Sequence, residues 1–213
     1  MKDNVFFVSG IDTNVGKSYA TGYLAKTWNE QGVRTITQKF IQTGNVGMSE
    51  DIELHRKIMG TGLLPEDESG LTMPEIFTYP CSPHLAAEID HRPIDFDKIE
   101  KATRQLSETY DAVLLEGAGG LMVPLTRDLL TIDYVAQKNY PLIFVTSGKL
   151  GSINHTLLSL EAITRRGIRL HTVAYNLFPE EDDDIIRRDT EAYTRDLLAK
   201  EYPETHFVVI PKL

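Results

Sequence analysis

The sequence predicts a single-domain α/β fold over residues 1–213: a doubly wound, mainly parallel sheet flanked by helices. Three observations predict it. Strand-like and helix-like stretches alternate along the chain, the order of a sheet covered on both faces. The run Asp111-Ala112-Val113-Leu114-Leu115-Glu116 has an unbroken apolar centre, the mark of a strand buried on both sides. The third is the stretch Ser9-Gly10-Ile11-Asp12-Thr13-Asn14-Val15-Gly16-Lys17-Ser18, which follows a strand and opens a helix. Strand, glycine-rich loop, Gly-Lys-Ser and helix is the layout of a phosphate-binding loop.

Taken in order, Asn4 to Ser9 reads as the first strand and Gly16 to Gln31 as the first helix, with Gly32 where a helix-ending glycine belongs. Arg34 to Gln38 is a second strand ending at Lys39, and Glu50 to Met59 a helix. Gly60 to Pro83, rich in Gly, Pro and acidic residues, reads as an irregular excursion; a loop of that length is more often functional than idle. Ser82 as N-cap and Pro83 at the first helical position start a short helix. Asp95 to Thr109 carries Phe96, Ile99 and Leu106 at helical spacing. Strands are further expected over Asp111 to Glu116, Leu142 to Thr146, Leu170 to Tyr175 and His206 to Ile210. Helices are expected over Thr131 to Lys138, Ser152 to Arg166 and Asp184 to Lys200. The acidic run Glu180-Glu181-Asp182-Asp183-Asp184 reads as capping for the last of these rather than as a metal site, because carboxylates suit a helix N-terminus.

Composition narrows the function. The chain has no apolar run long enough to span a bilayer, and Met1-Lys2-Asp3-Asn4 does not begin a signal peptide. A single cysteine, Cys81, excludes an intrachain disulfide framework and a cysteine metal cluster. A cytoplasmic protein without a membrane partner is the expectation. The net charge is −9 and no Lys/Arg cluster is present, which argues against a nucleic-acid surface.

Sheets of this kind bind ligands at the carboxyl ends of their strands, and polar residues gather there. After the first strand, backbone N–H groups and a helix N-terminus offer partial positive charge to phosphate oxygens. Lys17 adds a full charge, and the Ser18 hydroxyl can hold Mg²⁺. After the second come Lys39, read as a second and catalytic cation, and Thr43-Gly44. After Val113-Leu114-Leu115 comes Glu116-Gly117-Ala118-Gly119-Gly120, where Glu116 can hold Mg²⁺ or cap the next helix. Lys149 to Asn154 and Asn176 follow the next two strands. Asp51 is either a further Mg²⁺ ligand or an ordinary helix-start aspartate. His84 and His155 sit beside helix starts and read as caps or packing groups.

Five residues separate Gly10 and Gly16, one more than the usual loop. This longer loop resembles that of the dethiobiotin synthetase family. So do Lys39-Phe40-Ile41-Gln42-Thr43-Gly44, Ser82-Pro83-His84, Glu116-Gly117-Ala118-Gly119-Gly120 and Lys149-Leu150-Gly151-Ser152-Ile153-Asn154-His155, in order over nearly the whole chain. The resemblance implies a P-loop NTPase-like fold, a homodimer, and a ligase of biotin biosynthesis. It uses ATP, Mg²⁺ and CO₂ (or bicarbonate) to close a ureido ring on 7,8-diaminononanoate, through a carbamate and a carbamic–phosphoric anhydride.

By that resemblance Asn14, Val15, Gly16, Lys17, Ser18 and Tyr19 cradle the phosphates, and Ser18, Asp51 and Glu116 hold Mg²⁺. Lys39, with Lys17, is catalytic. Thr13, Thr43 and the loop from Gly117 to Gly120 line the diamine, and Asp51, Glu116, Gly117, Ala118 and Gly119 also meet nucleotide. Ser152, Ile153 and Asn154 take the substrate carboxylate across the dimer interface, and Asn176, Pro211, Lys212 and Leu213 hold the base. The chemistry needs cations, because an anionic carbamate must approach an anionic phosphate. Two unit charges about 4 Å apart repel by roughly 4 kcal/mol at an effective dielectric of about 20.

Some residues depart from the family's pattern. Ile11 stands where Thr is usual, Phe40 where Pro is common, and Leu177 where an acid is frequent. The chain ends at Leu213, soon after Ile210-Pro211, which leaves the choice of nucleoside triphosphate open. Two other readings share the loop. A related P-loop ligase would keep Lys17 and Glu116 without the segments at Lys39–Gly44 and Lys149–His155. A nucleotide-switched regulator of the partitioning-ATPase kind would carry a second lysine early in the loop, where only Lys17 is found.

Overall fold

The computed structural model describes residues 4–178 and 183–212. Its elements are β1 (Val5–Gly10), α1 (Lys17–Glu30), β2 (Thr35–Lys39), β3 (Gln42–Thr43), α2 (Glu50–Met59), α3 (Pro65–Glu68), β4 (Ile76–Phe77) and α4 (Pro83–Ile89). There follow α5 (Phe96–Thr109), β5 (Ala112–Glu116), α6 (Thr131–Lys138), β6 (Leu142–Ser147), α7 (Ser152–Arg165), β7 (Leu170–Asn176), α8 (Asp184–Glu201) and β8 (His206–Ile210). The main sheet has six strands in the order β2-β5-β1-β6-β7-β8, and every pairing in it is parallel.

The apolar runs explain the layering. Successive strand residues point to opposite faces. On one face Val8, Leu114, Ile143, Val145 and Ala174 pack on Ala20, Leu24 and Ala25 of α1. On the other, Phe7, Val113, Leu115, Phe144 and Val173 join Ile99 and Leu106 of α5, Ile132 and Val135 of α6, and Leu160 and Ile163 of α7. A strand flanked this way has no room for alternation, so β5 reads as a continuous apolar run. Phe40, in the position where the family resemblance anticipates proline, joins this core. Its ring centroid lies 5.5 Å from that of Phe7 and 4.8 Å from that of Tyr134.

Register sets the site. Lys39 pairs with Glu116, Ser147 with Asn176, and Asn176 with Ile210, so the carboxyl ends of these strands form one rim. Helix ends follow their local chemistry. Gly32, at φ 85°, closes α1: its N–H donates to Asn29 O, and that of Val33 to Trp28 O. This double bond satisfies carbonyls that the helix leaves free. Asp183 caps α8 by accepting from Ile185 N and Ile186 N, in line with the capping reading of the acidic run. Glu180, Glu181 and Asp182 of that run lie outside the described residues.

Two expectations need correction. Gly16 is not the first residue of α1 but its cap, at φ 84°, a left-handed conformation that costs glycine little. The excursion from Gly60 to Pro83 is not simply irregular: it holds α3 and β4, and β4 pairs in parallel with β3. It is stapled down by Asp67. This buried carboxylate takes two bonds from Arg56, at 2.8 Å each, one from the Thr72 hydroxyl at 2.6 Å and one from Leu64 N at 2.7 Å. Burial would raise the Asp67 carboxyl, but Arg56 and these donors more than offset it and hold it below its usual range.

Candidate active site

A cavity of about 750 Å³ opens at the carboxyl ends of β1, β2 and β5. Its walls include Thr13, Asn14, Gly16, Lys17, Ser18 and Tyr19 from the loop and the start of α1. Lys39, Thr43, Asp51, Glu116, Ala118 and Gly119 come from the neighbouring strand ends and α2.

The glycines of the loop are dictated by contact. A Cβ on Gly10 would stand 2.7 Å from Val15 Cγ1 and 2.8 Å from Val145 O. One on Gly16 would fall 2.0 Å from Asn176 Nδ2. The loop therefore lies flat against β6 and β7 only because both positions lack a side chain. Val15 does not face the cavity. It is buried in the core against α1, an anchor for the loop.

Two lysines reach the cavity floor, each 4 % exposed. Among the described residues Lys17 Nζ donates to two carbonyls, Asp12 O at 2.8 Å and Thr13 O at 3.1 Å. Burial, then repulsion from Lys39, lowers its pKa to about 8. Lys39 Nζ donates to Glu116 Oε1 at 2.8 Å and pairs with Asp51 Oδ2. Burial works against that charge, but Glu116 and Asp51 outweigh it and raise the ammonium pKa above its ordinary value. The Glu116 carboxyl is fully buried, which would raise its pKa. Lys39 and His55 reverse the sign and hold it well below the usual carboxylate range.

Ser18, Asp51 and Glu116 converge. The Ser18 hydroxyl lies 2.6 Å from Asp51 Oδ1 and 2.9 Å from Glu116 Oε1. One hydroxyl proton cannot serve both carboxylates, so three electron-rich oxygens face one another at the wall that also carries Lys17. Among the described residues no three His, Cys, Asp or Glu side chains form a metal cage. The set present is two carboxylates and a hydroxyl. That suits a hard ion which keeps several waters and completes its shell with phosphate oxygens, as Mg²⁺ does.

The neighbours of Asp51 and Glu116 speak against the capping alternative at both. Ser49, not Asp51, caps α2, its Oγ accepting from Ile52 N at 3.2 Å. Asp51 is free to reach Lys39 and Ser18. Glu116 caps no helix, since its oxygens go to Lys39, Ser18 and His55.

Other expected site residues lie elsewhere. Asn176 is buried and braces the loop, Nδ2 donating to Val15 O at 2.9 Å and Oδ1 accepting from Phe178 N at 3.2 Å. It does not line the cavity, and neither do Gly117, Pro211 or Lys212; Leu213 lies outside the described residues. Ser152 begins α7 and its Oγ is 3.1 Å from that of Ser147, while Asn154 is exposed; with Ile153 they are away from this chain's own cavity. Ser82 is the N-cap of α4 by position, but its hydroxyl caps nothing. It lies 3.1 Å from His84 Nδ1.

Sequence reasoning missed two features. His55, fully buried, lies 2.7 Å from Glu116 Oε2 through Nε2. Its signal was the four-residue step from Asp51, which puts both on one face of α2. Phe178 also lines the cavity, its ring centroid 6.1 Å from that of Tyr19. Nothing in local sequence joins these two residues.

The parallel order, the loop and the cavity define a P-loop NTPase. Solved structures agree on the fold. The MinC:MinD cell division protein complex of Aquifex aeolicus superposes with a TM-score of 0.56 at 12 % identity, covering 99 % of this chain and 82 % of that one. The signal recognition particle receptor FtsY from Elizabethkingia anophelis, in complex with GDP, gives 0.55 at 14 % identity. The match covers 99 % of this chain but only 58 % of the FtsY chain, so this protein spans under two thirds of that relative's length. A family model described as an AAA domain matches residues 4–213.

Curated relatives fix the family. The "ATP-dependent dethiobiotin synthetase BioD 2" of Pasteurella multocida is 53 % identical over 97 % of this chain and 96 % of its own. The protein of the same name from Haemophilus influenzae is 57 % identical over 86 % of this chain and 96 % of its own. The chain belongs to the ATP-dependent dethiobiotin synthetase family, a family of ligases. No helix of the described residues is long and apolar enough to cross a membrane.

Proposed function

We propose that residues 1–213 act as one P-loop domain that carboxylates 7,8-diaminononanoate and closes the ureido ring of dethiobiotin at the expense of ATP. An amine takes up CO₂, forming an N–C bond and a carbamate and releasing a proton. A carbamate oxygen attacks the γ-phosphorus, and ADP leaves. The second amine then attacks the carbonyl carbon of the mixed anhydride and loses a proton, and phosphate leaves as the ring closes.

The observation that carries this reading is the Lys39 ammonium. It is held between Glu116 and Asp51 on the cavity that Lys17 and Ser18 also line. A fixed cation there lies beside both reacting anions and stabilises charge that grows during transfer. Asn14 to Ser18 cradle the phosphates with backbone N–H groups. Ser18, Asp51 and Glu116 would hold Mg²⁺, which when bound neutralises phosphate charge. Thr13, Thr43 and the loop at Gly117, Ala118 and Gly119 border the diamine. Asn176, Phe178, Pro211, Lys212 and Leu213 are assigned to the base side, where Asn176 acts by holding the loop in place. Ser152, Ile153 and Asn154 serve the substrate carboxylate of a partner subunit, which makes the working form a homodimer in the cytoplasm.

The test is to mix the protein with Mg-ATP, bicarbonate and 7,8-diaminononanoate and look for dethiobiotin by mass spectrometry. Product that needs all four components is expected. A folded protein that hydrolyses ATP at the same rate with and without the diamine, and makes no product, overturns the reading.

A further inference from the structure

Glu116 is fully buried, and its two oxygens have different surroundings. Oε1 faces the cavity side, with Lys39 Nζ at 2.8 Å and Ser18 Oγ at 2.9 Å. Oε2 faces away and receives His55 Nε2 at 2.7 Å. His55 is itself fully buried, does not border the cavity, and is held from behind. Its Nδ1 is 3.1 Å from Thr37 Oγ1, which also accepts a bond from Arg56 Nη1 at 2.9 Å. A carboxylate oxygen can only accept, so the 2.7 Å contact puts a proton on Nε2, the atom aimed at Glu116. Arg56 in turn is clamped by Asp67.

We propose that His55 is a positioning residue, which locks the Glu116 carboxylate so that a single oxygen, Oε1, is presented to the cation side of the cavity. The inference rests on the reading of Glu116 as a carboxylate that holds metal beside a triphosphate. The geometry closes a ring. Asp51 and His55 leave α2 four residues apart, Asp51 meets Lys39, Lys39 meets Glu116, and Glu116 returns to His55. One helix thus supplies both a cavity carboxylate and the donor that orients the other. Without the Nε2 bond Glu116 can rotate and offer both oxygens to Lys39, which pulls Oε1 off Ser18. Groups that orient ligands in this way are typically worth about 10–100-fold in metal affinity or activity.

The test separates a donor at the Nε2 position from mere bulk. In His55→Gln the amide reaches that position; in His55→Asn it reaches only as far as Nδ1; His55→Leu keeps volume alone. Mn²⁺ binding with a non-hydrolysable ATP analogue is followed by electron paramagnetic resonance. Turnover is followed separately, and thermal melts report folding. The Gln variant is expected to bind Mn²⁺ within about threefold of the parent. The Asn and Leu variants are expected to bind about tenfold or more weakly and to lose kcat, with the diamine KM unchanged within about twofold. Equal Mn²⁺ affinity in the Gln and Asn variants, whether both tight or both weak, overturns the assignment. If the Leu variant does not fold, the Gln and Asn pair still decides. The Mn²⁺ arm needs no diamine, so a parent protein that makes no dethiobiotin overturns the functional reading and not this one.

Discussion

α2 takes part in two buried cation–carboxylate groups, built from similar chemistry, joined through Thr37 and used differently. In one, Asp67 accepts bonds from Arg56, Thr72 and Leu64, off the cavity wall. In the other, on the wall of the cavity, Lys39 is shared between Glu116 and Asp51, and Ser18 has one proton for two carboxylates. The first group is saturated and can only hold the chain. The second has oxygens to spare and an opening, and can exchange its partners for a ligand. Charge burial alone does not mark a site; burial with unspent hydrogen-bonding capacity beside a cavity does.

The largest expected effect breaks the saturated pair. Arg56→Met leaves Asp67 charged and buried, which should cost about 3–5 kcal/mol of stability. The melting temperature should fall by many degrees. Lys39→Ala should do the reverse. Truncating Lys39 opens the cavity floor and lets water in beside Asp51 and Glu116, so the melting temperature should move less. Removing a fixed cation from developing charge should lower kcat by about 10²–10³. Equal melting losses with turnover kept would erase the distinction between the two groups.

Lys17 sharpens the contrast, since it shares the cavity with Lys39 but has carbonyls instead of carboxylates. With its pKa lowered to about 8, the free protein loses this charge above that pH. Metal-free nucleotide should therefore bind about tenfold more weakly per pH unit above 8, by calorimetry. The sign for stability is opposite. Below about 8 both states carry the proton and the cost of burying the charge is fully present. Between about 8 and the ordinary 10.5 the unfolded chain binds more protons, so this residue's contribution to stability rises with pH. Lys17→Met should flatten both profiles. The smallest effect is expected at Asn154, which is exposed and away from this cavity. Asn154→Ala should raise the diamine KM by about tenfold, the worth of one bond to a charged group, and leave nucleotide affinity unchanged. An unchanged diamine KM would remove the cross-subunit carboxylate site.

The contrast also shows what sequence can carry. The parallel sheet was legible because its central strands bury both faces, and that demand writes itself as apolar runs. The loop, Lys39 and Glu116 were legible because strand ends are where such sheets bind ligands, and each followed a readable strand. β3, β4 and α3 were not, since a strand of two residues has no periodicity and the single turn of α3 is tied down by the bond from Arg56 to Asp67, a tertiary contact. His55 was hidden for the same reason. The four-residue step from Asp51 puts His55 on that carboxylate's face of α2, but only the approach of β5 to α2 gives it Glu116 as a partner. Asn176 was placed at the right rim, but its bonds to Val15 O and Phe178 N were not legible, because strand-end position does not say where an amide will point.

The central claim is that this cavity brings a carbamate oxygen onto the γ-phosphorus, with Lys39 beside both anions. Labelled CO₂ tests it directly. A short incubation with C¹⁸O₂, unlabelled water, Mg-ATP and 7,8-diaminononanoate should place one ¹⁸O in the released phosphate and one in the ureido carbonyl, read by mass spectrometry. Unlabelled phosphate, with labelled dethiobiotin formed alongside it, would contradict the account.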